Sequence, residues 1–251
     1  MILLRRRKLI TGAAALAAYV ALDRPARATS WLLIASNKGS GQNSPATPPM
    51  NMTGANLIVI SASYTSGAMP TLVDSISNSY TNISTVTNSS SFKTGFWYVR
   101  APTVTSAMTF TLSGSNVYGY IIVQGWGGTA ASPPDQSNSS VTWTGGNISP
   151  GPVTPGQANE LVVTCLGAND GGTTSYTIGG AFTIPSNNSV QQTGSNYGGS
   201  MAYFIETSAV ATNPQWTDPA TINGLSAAIA SFKQTGASAT QGNAHFFRVV
   251  P

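Results

Sequence analysis

The chain has 251 residues, a formal net charge of +4 and only 7% charged residues, against roughly 25% in an average soluble domain. A chain of this length buries a sizeable core without disulfide staples. Residues 1–30 carry six basic side chains against one acid, whereas residues 31–251 carry five against six. The body therefore has no excess positive charge with which to hold nucleic acid through its phosphates.

The first 30 residues form a segment with two interpretations. Near its start it has four consecutive basic side chains, which are candidate partner contacts: Arg5, Arg6, Arg7 and Lys8. An apolar run over Leu9–Leu22 and the A-x-A pattern at residues 26–28 follow, as in an export signal. The run "RRRKLITGAAALAA" resembles a twin-arginine signal, which cleavage would remove. A retained segment would instead be an arm that anchors the domain on a neighbouring subunit. The run is short and alanine-rich, so we expect no stable membrane span.

From residue 31 to the C-terminus the chain reads as one domain of short apolar or alternating runs between turn-rich clusters. Examples are "NLIVISAS", "FWYVRA", "YGYIIVQGW", "ELVVTCLGA" and "MAYFIETSA". Runs rich in Val, Ile, Tyr and Thr at this spacing predict an all-β sandwich. No stretch shows a sustained 3.6-residue apolar period, so long helices are not expected.

The body contains a degenerate internal repeat, with halves at about 51–130 and 155–235. In the first half twelve residues separate Tyr98 from Phe110, and twelve more lead to Ile122. The second half repeats both spacings at its own landmarks: Phe204, Trp216 and Ala228. Each half supplies about four strands, so we predict two facing halves in a jelly-roll-like, two-sheet β-sandwich. This register makes "SAAIASF" a strand, with alanines that allow the sheets to approach closely.

Several landmarks also carry a family resemblance. They are "ANLIVISAS", a "D-x-x-G-N-x-Y"-like turn at Asp74–Tyr80 with Ser77 at the glycine position, "NPQWT" at Asn213–Thr217 and "AAIASFK" at Ala227–Lys233. Over residues 31–233 the chain resembles β-sandwich structural proteins of phages and environmental bacteria. The resemblance implies a virion component, such as a head-decoration, fibre or tail-associated protein. Its partners would be copies of itself and other virion proteins, and the family brings no catalytic residues to carry over.

The residues that could support catalysis are few, and we predict no enzyme, no metal site and no cofactor. His245 is the single histidine and lies near the C-terminus, where packing is the simpler role. Cys165 is the single cysteine, in an apolar run; it is either a small buried hydrophobe or an intermolecular bridge. Four aspartates lie in turn-like contexts and are expected to cap the backbone locally: Asp74, Asp135, Asp170 and Asp218. Glu160 and Glu206 occupy corresponding strands of the two halves and are expected to face solvent.

The five tryptophans raise a second functional hypothesis. Trp97 and Trp216 lie in repeated strand positions, so we expect them in the core. Trp126 and Trp143 lie at strand ends beside glycines and are candidates for an exposed partner-binding surface. Together with the signal-like N-terminal segment they leave open an exported, lectin-like or adhesive module that binds a glycan.

Overall fold

The structure is a computed structural model that describes residues 30–65, 70–88, 92–114, 118–128, 134–143, 146–170, 175–192, 197–219 and 222–234. The N-terminal segment, with Arg5, Arg6, Arg7 and Lys8, and the C-terminal His245 lie outside these residues. The described part contains fifteen β-strands and no helix, which confirms the all-β prediction.

Seven strands lie before residue 130, and the first of them precedes the predicted first half: β1 (Leu32–Gln42), β2 (Leu57–Thr65), β3 (Thr71–Asp74), β4 (Thr81–Thr87), β5 (Phe92–Arg100), β6 (Phe110–Ser113) and β7 (Tyr118–Gly127). Eight follow, and the first two of them precede the predicted second half: β8 (Gln136–Thr142), β9 (Asn147–Ile148), β10 (Glu160–Asp170), β11 (Thr177–Ile178), β12 (Ser189–Gln192), β13 (Tyr197–Glu206), β14 (Trp216–Thr217) and β15 (Ile222–Phe232).

Each half of the chain forms one five-stranded antiparallel sheet. Sheet 1 has the order β1-β7-β2-β5-β4, and sheet 2 has the order β12-β13-β10-β15-β8. The run β7-β2-β5-β4 in sheet 1 therefore corresponds to β15-β10-β13-β12 in sheet 2. The repeat predicted that β2, β5 and β7 correspond to β10, β13 and β15, and the structure adds the correspondence of β4 with β12. The two-sheet sandwich of two halves is confirmed. The halves do not exchange strands, so the connectivity is simpler than that of a jelly roll.

A smaller sheet covers the outer face of each main sheet. The pair β3-β6 lies over sheet 1, and β11-β14-β9 lies over sheet 2. As a result β2 is buried on both faces, and its first eight residues are all inaccessible to solvent. Leu57 and Val59 belong to the cluster between the main sheets, whereas Ile58 and Ile60 pack under the outer pair. Burial on both faces explains why "LIVISASY" shows continuous apolar and small residues instead of alternation.

The segment "SAAIASF" is part of strand β15, as the repeat register predicted. Ala228 and Ala230 belong to the cluster between the main sheets, and Ala227 and Ile229 lie in the clusters under the outer layer. Because side chains alternate between faces along a strand, both faces of β15 are used. The small alanine side chains allow β15 to pack closely against the layers on both of its faces.

A chain of four hydroxyl groups crosses between the two sheets. The Ser226 hydroxyl of β15 donates to Thr94 Oγ1 of β5 at 2.7 Å, and Thr94 lies 2.6 Å from Ser63 Oγ of β2. Ser63 donates to the Tyr120 hydroxyl at 2.8 Å, and Tyr120 donates to the Leu166 carbonyl of β10 at 2.7 Å. All four hydroxyl groups have an acceptor if each donates to the next in this order, from Ser226 to the Leu166 carbonyl. Buried polar groups that are paired in this way fix the position of one sheet against the other.

The Asp74 turn shows the local capping predicted for it. Asp74 Oδ1 accepts the N–H groups of Ile76 and Asn78 at 2.9 and 3.2 Å, and Oδ2 accepts Asn78 Nδ2 and the Tyr80 hydroxyl at 2.8 and 2.5 Å. Burial and the Asp74 carboxylate both raise the pKa of Tyr80. Ser77 has φ +66°, which is the left-handed conformation that a glycine would adopt without strain.

Replacing Gly167 with alanine should destabilise the protein by about 3 kcal/mol, because the added methyl group overpacks the core. A Cβ at Gly167 would lie 1.9 Å from Thr94 Oγ1 and 2.6 Å from Ser63 Oγ, in the middle of the hydroxyl chain. Gly41→Ala is the matched control in a strand, since a Cβ there meets nothing within 4 Å. Urea denaturation of both variants measures the difference, and equal stabilities would contradict the role given to Gly167.

Replacing Ser77 with glycine should stabilise the protein by roughly 0.5–1 kcal/mol, because it relieves the left-handed strain of a residue with a Cβ. Ser77 is exposed, so the change removes no core contact. Ser79→Gly, at a nearby exposed serine without positive φ, should instead be slightly destabilising. Chemical denaturation of the two variants tests the turn, and a loss of stability in Ser77→Gly would refute it.

Candidate functional site

Trp126 is buried, so the prediction that it belongs to an exposed partner surface is wrong. It is 1% exposed and its ring meets that of Tyr203 edge-on with centroids 4.7 Å apart. Its Nε1 donates to Gln124 Oε1 at 3.2 Å, and Gln124 Nε2 donates to Asn188 Oδ1 at 2.8 Å. The flanking glycines indicated a strand end correctly, but sheet 2 covers this end of β7. Trp97 and Trp216 are buried as predicted.

Trp143 is exposed at the end of β8, as predicted. Its exposed fraction is 56%, and that of Val141, two residues earlier, is 40%. Strand β8 is the outermost strand of sheet 2 and contacts β4, the outermost strand of sheet 1. We call the surface formed by β4, β8 and Trp143 the β4–β8 flank. In the described part of the chain, no further strand pairs with either outer edge of this flank.

The β4–β8 flank is uncharged along both strands. The sequences "TNISTVT" and "QSNSSVT" contain no charged residue and no proline. Natural edge strands usually carry such residues because they prevent pairing with other chains. At the opposite flank, Lys38 of β1 donates through Nζ to the Ser189 carbonyl of β12 and ties the two sheets together. The β4–β8 flank therefore has the character of a surface that another chain can cover.

Glu160 and Glu206 are buried, which contradicts the expectation that they face solvent. They are direct partners in the β10–β13 pair, with exposed fractions of 0% and 5%. Glu160 Oε1 accepts the Gln157 N–H at 3.0 Å, and Glu206 Oε1 accepts the N–H and the hydroxyl of Ser208, both at 3.1 Å. The connecting segments fold back over these strand ends, and strand alternation alone does not show this.

Asp135 does not cap a local turn, so that prediction is also wrong. Its Oδ1 lies 2.5 Å from Lys233 Nζ, and its Oδ2 accepts the Gly156 N–H at 2.7 Å. Burial acts to raise the pKa of Asp135, but Lys233 and the Gly156 N–H outweigh it, and the pKa is lowered. Asp135 thus joins the start of β8 to the end of β15. The side chain of Asp170 lies outside the described residues, and Asp218 is buried.

Glu160 and Asp135 form a pair of carboxyl groups whose pKa values move apart. Burial first, and then the charge of Asp135, raise the pKa of Glu160. Such separation is found in acid–base sites. Here Glu160 has no accessible surface, so a substrate has no route to it. The pair and Lys233 therefore act as a structural link between β8, β10 and β15.

Cys165 is a buried core residue, which confirms the simpler of its two interpretations. It is 0% exposed in the cluster between the main sheets, and burial raises its pKa to about 11. The group is therefore a neutral thiol, and no partner chain can reach it while the domain is folded.

Among the described residues, no group of three or more His, Cys, Asp or Glu side chains has the arrangement of a metal site. The same residues include no helix that is long and apolar enough to cross a membrane. No protein-family model matches the chain, and neither a curated protein nor a solved structure was found to match it.

Glu160→Gln should stabilise the protein at pH 7 and leave its stability unchanged near pH 4. A carboxyl group whose folded pKa is raised contributes stability below its unfolded pKa, near 4.5, and loses it as the pH rises through the folded value. Asp135→Asn should behave in the opposite way. Its lowered pKa means that stability is present above about 3.8 and is lost on acidification. Thermal melts from pH 3 to 8 measure both; parallel pH curves for Glu160→Gln and the unmodified protein would exclude the raised pKa.

Proposed function

We propose that this protein is a non-enzymatic structural component of a phage particle and acts through contacts with copies of itself and with other particle proteins. Head-decoration, fibre and tail-associated positions are all compatible with this role. The observation that carries the proposal is the β4–β8 flank, with two uncharged edge strands and the exposed Trp143 and Val141.

The chemistry of the flank supports a protein partner. Unpaired edge strands present backbone N–H and C=O groups that a strand of another chain can pair with. Tryptophan is among the residues that contribute most when they are buried in an interface. Trp143 supplies such an anchor next to the polar, uncharged residues of β8.

The size of the flank favours many weak contacts over one strong contact. A stable protein interface buries about 800 Å² on each partner, more than two short edge strands provide on their own. In a particle with many copies, contacts of this kind add together through the high local concentration of subunits. The low-charge body rich in Ser, Thr, Asn and Gly is compatible with such dense packing, since like charges would otherwise repel.

An exported, surface-bound module is the second candidate function, and the A-x-A pattern at residues 26–28 favours it. The two functions differ in the fate of the N-terminal segment. Export predicts a mature chain that begins at Thr29, whereas the anchoring arm predicts an intact segment in assembled particles. The intact mass of the protein isolated from its natural source separates them.

Trp143→Ala should reduce the number of copies per purified particle about tenfold or more, because losing a buried tryptophan anchor costs about 2 kcal/mol or more. Circular dichroism should show an unchanged fold, since the side chain is exposed. Val210→Ser is the matched control, because Val210 is 52% exposed but lies outside the flank. Quantitative mass spectrometry of particles measures incorporation. Absence of the unmodified protein from particles would refute the proposed function, and normal incorporation of Trp143→Ala would refute the role of the flank.

A further inference from the structure

A groove opens on the outer side of sheet 2. Its volume is about 390 Å³. Residues 179–182, after β11, form one wall and residues 211–215, before β14, form the other. Phe204 of β13 lies between them. Main-chain bonds hold the walls in place: Gly179 N–H donates to the Gln215 carbonyl at 2.8 Å, and Thr212 exchanges two bonds with Val153.

The first half of the chain has the same frame, but there side chains of the turn bond across it. Ser75 N–H donates to the Thr109 carbonyl at 3.0 Å, which corresponds to the bond from Gly179 to Gln215. The Asn78 amide then bridges to the backbone of Thr103 with two bonds of 2.9 Å. The Asp74 carboxylate holds the rest of that turn, as described above.

The second half has neither the carboxylate nor the amide at these positions, and Phe182 follows Ile178 by four residues as Asn78 follows Asp74. Ile178 stands where Asp74 stands in the first half, since Ile178 pairs with Trp216 of β14 and Asp74 pairs with Phe110 of β6. The turn continues with Gly179, Gly180 and Ala181, which have no side chain beyond Cβ. Gly180 has φ +77°, so the chain reverses without a carboxylate cap. The groove therefore lies at a position where the two halves share one backbone frame but differ in sequence.

The lining of the groove selects a neutral ligand with both apolar and hydroxyl-bearing surfaces. None of its ten lining residues is charged. The half-buried rings of Phe182 and Phe204 lie with centroids 5.5 Å apart and tilted by 46°, so they offer apolar surface at the base. Exposed amides surround them: Asn213 Oδ1 accepts the Gly151 N–H at 3.0 Å, which leaves Nδ2 to donate to a ligand, and Gln215 is also exposed.

We propose that this groove binds a neutral saccharide of one or two rings. The C–H face of a sugar ring packs on the Phe182 and Phe204 rings, and its hydroxyl groups bond to the amides of Asn213 and Gln215. The volume lies near the lower end of the range for small-molecule sites, roughly 300–1,000 Å³, which matches one or two rings. The site goes beyond the proposed structural role and does not depend on it, because the two use different strands.

The test is binding of the full chain to glucose, galactose, N-acetylglucosamine, maltose and lactose, measured by saturation-transfer NMR and calorimetry. At least one of these sugars should bind saturably. Phe182→Ala and Gln215→Ala should each weaken that binding about tenfold. Ala211→Trp should abolish it, because the new ring fills the groove from an exposed position and leaves the core untouched. A sialylated form of the best ligand should bind no better than the neutral one.

Trp143→Ala is the control that separates this proposal from the proposed function. It should retain full saccharide binding even where it lowers incorporation into particles. The saccharide site is overturned if none of the five sugars binds at concentrations on the order of 10 mM, or if Ala211→Trp binds as well as the unmodified chain. Neither of these results would affect the incorporation measurement.

Discussion

The spacing of the two main sheets depends on the buried hydroxyl chain from Ser226 through Thr94, Ser63 and Tyr120 to the Leu166 carbonyl. Apolar contacts between sheets are non-directional, so they permit small slides of one sheet over the other. A hydrogen-bonded chain with one consistent proton order permits far less, because any displaced member leaves a buried polar group unpaired. The hydroxyl chain requires a glycine at position 167, because the Cβ of any other residue there would overlap Thr94 Oγ1.

The shared frame of the two halves makes the positions where they differ informative. Both halves have a central strand buried on two faces and a small outer sheet above it. Beside its outer sheet the first half has a turn held by the hydrogen bonds of Asp74 and Asn78, whereas the second half has a groove lined by Phe182 and Phe204. The outer edges also differ, because β1 is tied to β12 through Lys38 whereas β4 and β8 present uncharged strands. The β4–β8 flank and the groove, which are the two proposed binding surfaces, both lie at positions where the two halves differ.

Several site predictions from the sequence were wrong, and they share one cause. Trp126, Glu160, Glu206 and Asp135 all lie at or next to the ends of strands. A strand end is exposed or buried according to which distant segment folds over it, and local pattern carries no information on that. For Asp135 the covering partners are Lys233 and Gly156, 98 and 21 residues away. The groove was missed for the same reason, since its two walls are separate in sequence. The change from "DSISN" to "IGGAF" at matching positions was a local signal for it.

The sequence by itself determined the fold class, the positions of most apolar strands and the pairing of the two halves. It did not mark the polar strands β4 and β12. Apolar runs bounded by turn residues mark strands because side chains alternate and turns need special backbone angles. A spacing of twelve residues that recurs in both halves indicates that both have the same strand order. It also predicted "SAAIASF" as a strand. Only the tertiary structure decided which tryptophan reaches solvent, which carboxyl groups are buried and where a groove stays open. These depend on segments far apart in sequence, whose contacts are set when the four layers pack together.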